Sequence, residues 1–261
     1  MKRPTDEEID TYCERFNLTP DVAWRDYLQL RLAEATSRDA SLFQLCVWKG
    51  AFVMRFVLRS FRGSGDLDAT VGTNKDRVDP QHMYERLKKA CQDLDIELPR
   101  PAELEGGDRA VTFAPIEWRD PAFGMVSTSI DLSMREELVL PAHRRTVDLG
   151  LVPAFEVLHI DLNEQAAEKM RCLAERSKVG DGWDVELLWR WRANLDAGAI
   201  RDLVPQKLTS GKDHSARALE GVKRRYEAWD RERGRDLPRN GGPTRDEMRD
   251  ACNSAVKAWV P

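Results

Sequence analysis

Strand-forming sequence in this chain ends near residue 161, and that boundary limits the fold more than any other feature. Short stretches rich in Val, Ile, Thr and Phe and bounded by Gly or Pro occur at 109–118, 124–134 and 156–161, and "DLDATVG" (66–72) reads the same way. The apolar run "LFQLCVW" (42–48) suits a buried strand, and "AFVMRFVL" (51–58) after Lys49-Gly50 resumes a helical pattern. From Asn163 onward, strand signals nearly vanish. Helical spacing then appears near 163–177, 183–197 and 213–231, separated by "KVGDGWD" and "VPQKLTSGKD". A Gly/Pro/Arg-rich loop at 233–246 precedes a last short helix. Upstream, Asp6 to about Ala35 carries Trp24, Tyr27, Leu28 and Leu32 at helical spacing, with Thr19-Pro20 as a start signal, and a further helix is expected from about Pro80 to Leu94. The expected class is α+β: a mixed or antiparallel sheet flanked by helices, followed by a helical C-terminal domain. Three segments follow, a helical preface (1–35), a sheet-bearing core (36–161) and a helical domain (162–261).

With 261 residues, 41% hydrophobic and 33% charged, the chain has enough material for a sizeable core and argues against disorder. No apolar run reaches the roughly 18 residues of a membrane helix, and the N-terminus lacks the apolar stretch of a signal peptide, so a cytoplasmic location is expected. The five cysteines are scattered and never spaced as C-x-x-C, which suits reduced thiols. The four histidines have no metal-ligand spacing and no matched nucleophile. A formal net charge of −4 speaks against a general polyanion binder while leaving room for a local basic face.

The chemistry concentrates in "RGSGDLD" (62–68). On a strand, Asp66 and Asp68 point to the same face, about 7 Å apart along the chain, and can share one or two metal ions. Gly63 and Gly65 let backbone N–H groups approach a phosphate, and Ser64 offers a hydroxyl. The plain alternative is a turn opening a strand, for which Gly, Ser and Asp are the usual residues. In "MVSTSIDLS" Val126, Thr128, Ile130 and Leu132 share one face, and Ser127, Ser129, Asp131 and Ser133 the other. If that polar face adjoins Asp66 and Asp68, Asp131 completes a set of carboxylates suited to two Mg2+ ions against a nucleotide phosphate. The competing reading is a solvated sheet face.

The ordered set "WKGAFVMRF", "FRGSGDLDATV", "STSIDLSMRE", "AEKMRCLAERS" and "GDGWDVELL" resembles the AbiEii/MenT nucleotidyltransferase toxins of type IV toxin–antitoxin systems, within the DNA polymerase β-like nucleotidyltransferase superfamily. The resemblance runs from Trp48 to Leu188. It implies a nucleotidyltransferase core at 36–161 and nucleotide-binding roles for Lys49 and Gly50, with Ala51 where relatives carry a second glycine. It implies that Lys169 holds the triphosphate and that an aspartate of "GDGWD", Asp181 or Asp184, orients it, with Gly180 where relatives carry arginine. The ordinary readings are a surface lysine and a capping box. Asp131 is the candidate base for the attacking hydroxyl.

By resemblance the enzyme uses Mg2+ and a nucleoside triphosphate (NTP), adds nucleotides to RNA, expected to be a tRNA 3′ end, and blocks aminoacylation and growth. A cognate antitoxin is implied. The alternatives are a catalytically weakened nucleotide-binding or regulatory module, and nucleotidyl transfer to a small-molecule or protein hydroxyl. Arg55, Arg59 and Arg62 beside the signature are candidate RNA or phosphate contacts. Between 212 and 235 eight basic residues, Lys212, Arg217, Lys223, Arg224, Arg225, Arg231, Arg233 and Arg235, stand against five acidic ones, which makes this region the expected RNA grip; the alternative is a helix surface laced with ion pairs to Glu220 and Glu227. Lys223, Arg224 and Arg225 are its centre. In "WDVELLWRWRANL", Trp183, Leu187, Leu188 and Trp191 are expected in the core.

Overall fold

The computed structural model describes residues 3–72, 79–92, 96, 98–99, 110–120, 124–133, 138–176, 178–208, 213–232 and 242–261. Two compact units emerge: Met1–Arg59 with Gly63–Ile160, and Ser60–Arg62 with Asp161–Pro261. Together they bear out the α+β class, with every described strand in the first unit.

The first unit opens with α1 (Asp6–Phe16), started by a capping box in which Thr5 and Glu8 exchange hydrogen bonds, and α2 (Pro20–Arg38). Asn17, at φ 51°, turns the chain between them, and α2 begins at the Thr19-Pro20 start signal, so the helical preface is two helices. Every residue from Asp26 to Thr36 is buried, including Asp26, Gln29, Arg31 and Glu34. A helix buried all round requires polar partners inside the fold: Tyr12 and Arg55 for Asp26, the Ser64 carbonyl and Thr128 for Gln29, and the Arg31–Glu34 pair within the helix itself.

A six-stranded sheet follows in the order β3-β4-β2-β1-β6-β5, built from β1 (Cys46–Lys49), β2 (Asp66–Val71), β3 (Ala110–Asp120), β4 (Gly124–Ser133), β5 (His143–Val147) and β6 (Phe155–His159). The β2–β4 and β1–β6 pairs are parallel and the other three antiparallel, a mixed sheet. Residues 42–48 correct the expected strand. Asp39 accepts the Ser41 and Leu42 N–H groups, which starts α3 (Ala40–Leu45) and leaves only Cys46–Lys49 extended. Then α4 (Gly50–Phe52) runs into a π-helical turn, Val53–Val57, and α5 (Pro80–Cys91) matches the expected helix over the described residues. Strand β5 was not legible in the sequence. Its residues His143 to Thr146 are exposed at the sheet edge, so no apolar alternation marks it.

The second unit is helical: α6 (Leu162–Glu175), α7 (Val179–Arg190), a 3-10 turn (Arg192–Asn194), α8 (Ala197–Lys207), α9 (His214–Glu232) and α10 (Arg245–Trp259). Helix α7 starts earlier than expected, inside "KVGDGWD", because its glycines are packing sites. A Cβ at Gly180 would lie 2.6 Å from the Arg62 guanidinium, and one at Gly182 would lie 2.8 Å from Met248 Sδ. Helix α8 has no counterpart in the sequence reading and takes in the start of the expected connector "VPQKLTSGKD"; the Asp196 carboxylate caps it by accepting from Gly198 and Ala199. Trp183 stacks on Trp229 with ring centroids 6.0 Å apart, whereas Trp191 is 39% exposed and leaves the expected core. The expected loop at 233–246 falls largely outside the described residues, and α10 starts inside its end, at Arg245, with a Thr244–Glu247 capping box.

All five cysteines are free thiols, four of them buried. No described helix is long and apolar enough to cross a membrane.

Candidate active site

Strand β2 sits inside the sheet between β1 and β4. Alternation puts Asp66 and Asp68 on one face, and the parallel register sets Asp68 opposite Asp131 and Asp66 opposite Ser129. One carboxylate oxygen from each of Asp66, Asp68 and Asp131 lies within 4.8 Å of the others, and all three residues are partly exposed. Three convergent hard oxygen donors fit a magnesium-sized cation, which takes a few carboxylates and completes its shell with water and phosphate.

Lys49 lies opposite Asp68 in the antiparallel β1–β2 register and is buried. Gly50 follows at φ +59°, where a Cβ would fall 2.3 Å from Asp68 Oδ2. The chain thus passes over Asp68 with room for a hydrogen only. Ala51, by contrast, is buried with its methyl accommodated.

Ahead of β2, the Ser64 hydroxyl reaches both the Asp66 carbonyl and Asp66 Oδ1 at 2.8 Å, so it orients the first carboxylate of the cluster. Gly63 packs against Val22, where a Cβ would lie 2.8 Å from Cγ1, while Gly65 is exposed and a Cβ there would meet nothing within 4 Å. Two residues not singled out in the sequence hold this loop from behind. Gln29 Nε2 donates to the Ser64 carbonyl at 3.1 Å and to Thr128 Oγ1 at 3.0 Å, and Thr128 Oγ1 donates to the Gly65 carbonyl at 3.1 Å. The available signal was a glutamine inside the apolar run "YLQLRLA", a polar residue whose burial requires a partner.

In the second unit Lys169 Nζ lies 2.7 Å from Asp184 Oδ2 and 3.2 Å from Asp181 Oδ1 and is 4% exposed, so it is no surface lysine. Burial alone would discharge it. Asp184 and then Asp181 overturn that and hold its ammonium above the ordinary lysine range. Burial likewise opposes the Asp181 charge, but Lys169 and the Arg176 hydrogen bonds hold its carboxyl well below the usual carboxylate range. The capping-box alternative fails here: Lys178 is the N-cap of α7, and Asp181 and Asp184 lie within the helix. Arg62 belongs to this unit, with its guanidinium against the bare Gly180 and 3.3 Å from Asp184 Oδ2. A cation is therefore present beside the aspartates although residue 180 is glycine.

Several of the arginines expected to meet RNA are engaged elsewhere. Arg55 is 1% exposed and pairs with Asp26 at 2.6 Å, with a further hydrogen bond to the Tyr12 hydroxyl, so it is a core ion-pair residue. Arg225 is fully buried. Its guanidinium donates to the carbonyls of Cys172, Leu173, Arg176, Lys178 and Gly221, which removes it from any RNA-facing surface. Arg59, at φ 59°, and the α9 residues Lys223 and Arg224 are exposed. Lys212, Arg233 and Arg235 lie outside the described residues.

No curated protein matches this sequence. Among solved structures, MenT4, a nucleotidyltransferase toxin of Mycobacterium tuberculosis H37Rv, superposes with a TM-score of 0.57 at 16% identity over 97% of this chain and 99% of its own. JHP933 from Helicobacter pylori gives 0.57 at 13% identity over 92% of each chain. At such identities the likeness establishes the fold. Family membership comes from the sequence profile described as "Nucleotidyl transferase AbiEii toxin, Type IV TA system", which matches residues 32–253 and so takes in both the carboxylate cluster and the Lys169 network. On that match, this chain belongs to the AbiEii nucleotidyl transferase toxins of type IV toxin–antitoxin systems and is a nucleotidyltransferase.

Proposed function

We propose that the protein uses magnesium to transfer nucleotides from an NTP to RNA, at the 3′ end of tRNA, and thereby stops aminoacylation, translation and growth in the cytoplasm. The observation that carries the reading is the meeting of the Asp66, Asp68 and Asp131 carboxylate oxygens within 4.8 Å beside a Gly-Ser loop, in a member of a nucleotidyltransferase family. These three residues would hold the metal, which supplies positive charge to the phosphoryl oxygens and acidifies the attacking hydroxyl. Asp131 accepts the proton as the acceptor oxygen bonds to the α-phosphorus and pyrophosphate leaves with the α–β bridging oxygen. Ser64 keeps Asp66 in its orientation, and the absence of a Cβ at Gly50 leaves the Asp68 carboxylate its place. Lys49 and Gly63 belong to the nucleotide-binding set of this reading. Lys169 is its triphosphate ligand, since an ammonium has three donors and Asp181 and Asp184 account for two. Asp181 and Asp184 act by keeping that ammonium charged and in place. The cognate antitoxin is the protein partner of the system.

The test is incubation of the protein with each labelled NTP, magnesium and total RNA, alongside Asp68→Ala. The reading requires label in tRNA with the wild type and none with a folded Asp68→Ala variant, together with relief of growth arrest in cells. Label in protein or small molecules would move the acceptor to those classes. Full transfer by Asp68→Ala would overturn the metal-site assignment.

A further inference from the structure

Helix α2 lies against the face of β4 opposite the carboxylates. Thr128 is an odd number of residues from Asp131, so the two side chains leave β4 on opposite faces, and Gln29 of α2 meets Thr128 on the α2 side. Both residues are buried, Gln29 completely and Thr128 at 5% exposure. From that side Gln29 binds the Ser64 carbonyl and Thr128 binds the Gly65 carbonyl. In a trans peptide the C=O and N–H point in opposite directions. Turning the Ser64 carbonyl toward Gln29 therefore turns the Gly65 N–H away from α2, toward the face that carries Asp66, Asp68 and Asp131. Gly65 is exposed, and a Cβ there would meet nothing within 4 Å.

We infer that Gln29 and Thr128 are positioning residues that aim the Gly65 N–H at a phosphate of the bound nucleotide. The inference rests on the nucleotidyl-transfer reading and adds to it the source of a preorganised donor. An N–H fixed before the substrate arrives needs no reorganisation during reaction. Buried polar side chains in a helix and a strand are also more rigid supports than the loop itself. Thr128 is central because its one hydroxyl both accepts from Gln29 and donates to Gly65, so a methyl in its place breaks two bonds with little change of shape.

The experiment compares wild type, Thr128→Val, Thr128→Ser and Gln29→Met in the full chain. Two readouts are used: kcat/KM for the nucleotide, and the backbone amide resonance of Gly65 in glycine-labelled protein titrated with magnesium tripolyphosphate. The wild type is expected to show a large Gly65 shift on titration. Thr128→Val and Gln29→Met lose that shift and fall about tenfold to a hundredfold in kcat/KM, as expected for loss of alignment by about an ångström. Thr128→Ser, which restores the hydroxyl, keeps both. A wild-type Gly65 amide indifferent to magnesium tripolyphosphate overturns the inference, as does a Thr128→Val protein with wild-type shift and rate. If Thr128→Val does not fold, Gln29→Met against Thr128→Ser makes the same decision. A wild type that transfers no nucleotide defeats the functional reading alone, and the amide titration then still decides the clamp.

Discussion

At position 50 two independent constraints select glycine. The backbone is left-handed at φ +59°, and a Cβ would lie 2.3 Å from Asp68 Oδ2. Gly50→Ala is expected to cost about 1–2 kcal/mol for the backbone alone and to displace the Asp68 carboxylate as well. Nucleotidyl transfer should therefore fall much further than the melting temperature, a comparison that thermal denaturation and label transfer on the same sample make directly. At Gly65, where a Cβ meets nothing, alanine is expected to fold normally. Arg55 illustrates how a charge can be misassigned from sequence. It is buried against Asp26, whose carboxyl is raised by burial despite the opposing Arg55 and Tyr12 contacts. Arg55→Met leaves that carboxylate without its cation and should lower stability by about 3–5 kcal/mol with RNA affinity unchanged per folded molecule. Urea denaturation and RNA titration measure the two.

Helix α9 separates structural from candidate binding charges within three consecutive residues. Arg225 points inward to five carbonyls, while Lys223 and Arg224 are exposed. Arg225→Ala is expected to cost about 3 kcal/mol or more, because several buried acceptors lose their donor at once. The Lys223→Ala/Arg224→Ala pair should change stability by less than about 0.5 kcal/mol. If both side chains meet phosphates, the same pair should flatten the slope of log affinity for RNA against log salt by about 1.5 to 2. Coincident slopes would place the RNA elsewhere. One turn before Arg225, Gly221 lets α9 approach α6 so closely that a Cβ would sit 1.7 Å from the Leu173 carbonyl oxygen. The glycine in this charged helix is thus a close-packing site, as are Gly180 and Gly182 in α7.

Over the whole molecule, the Lys169 network gives the second unit a defined pH dependence. Asp181 is depressed below its ordinary value of 3.8, so its contribution is complete above that value and disappears as pH falls through the lower folded value. Lys169 is raised above its ordinary 10.5, so its contribution is complete below that value and is lost only as pH rises through the higher folded value. For these two groups the stability of the second unit is flat from about pH 5 to 9. Lys169→Met removes the largest cationic influence on Asp181. It should lower stability by about 3 kcal/mol and move acid unfolding to higher pH, with Arg176 and Arg225 retaining part of the effect. Urea midpoints between pH 3 and 9 for the two proteins provide the measurement, and identical acid limbs would contradict the assigned coupling. Nucleotide affinity measured on the folded variant tests the triphosphate role separately, since a network that only stabilises would leave it unchanged.

Residue order alone determined the α+β class, the strand at 66–71 and the burial alternation of 126–133, because side chains alternate strictly along a strand and one face of each is apolar. It thereby put Asp66 and Asp68 on one face and Asp131 on the polar face of its own strand; only the β2–β4 register decided that the three converge. Local pattern reports that a side chain is buried and is silent about its partner. Gln29 was not singled out, Arg225 was read as an RNA contact, and Gly180 fell in the connector "KVGDGWD". Their roles depend on Thr128, on five carbonyls and on Arg62, which lie 99 residues away in the first case, up to 53 in the second and far along the chain in the third. Edge strand β5 escaped notice for the opposite reason: four of its five residues are exposed, so the hydrogen bonds to β6 that define it leave no periodic trace in composition.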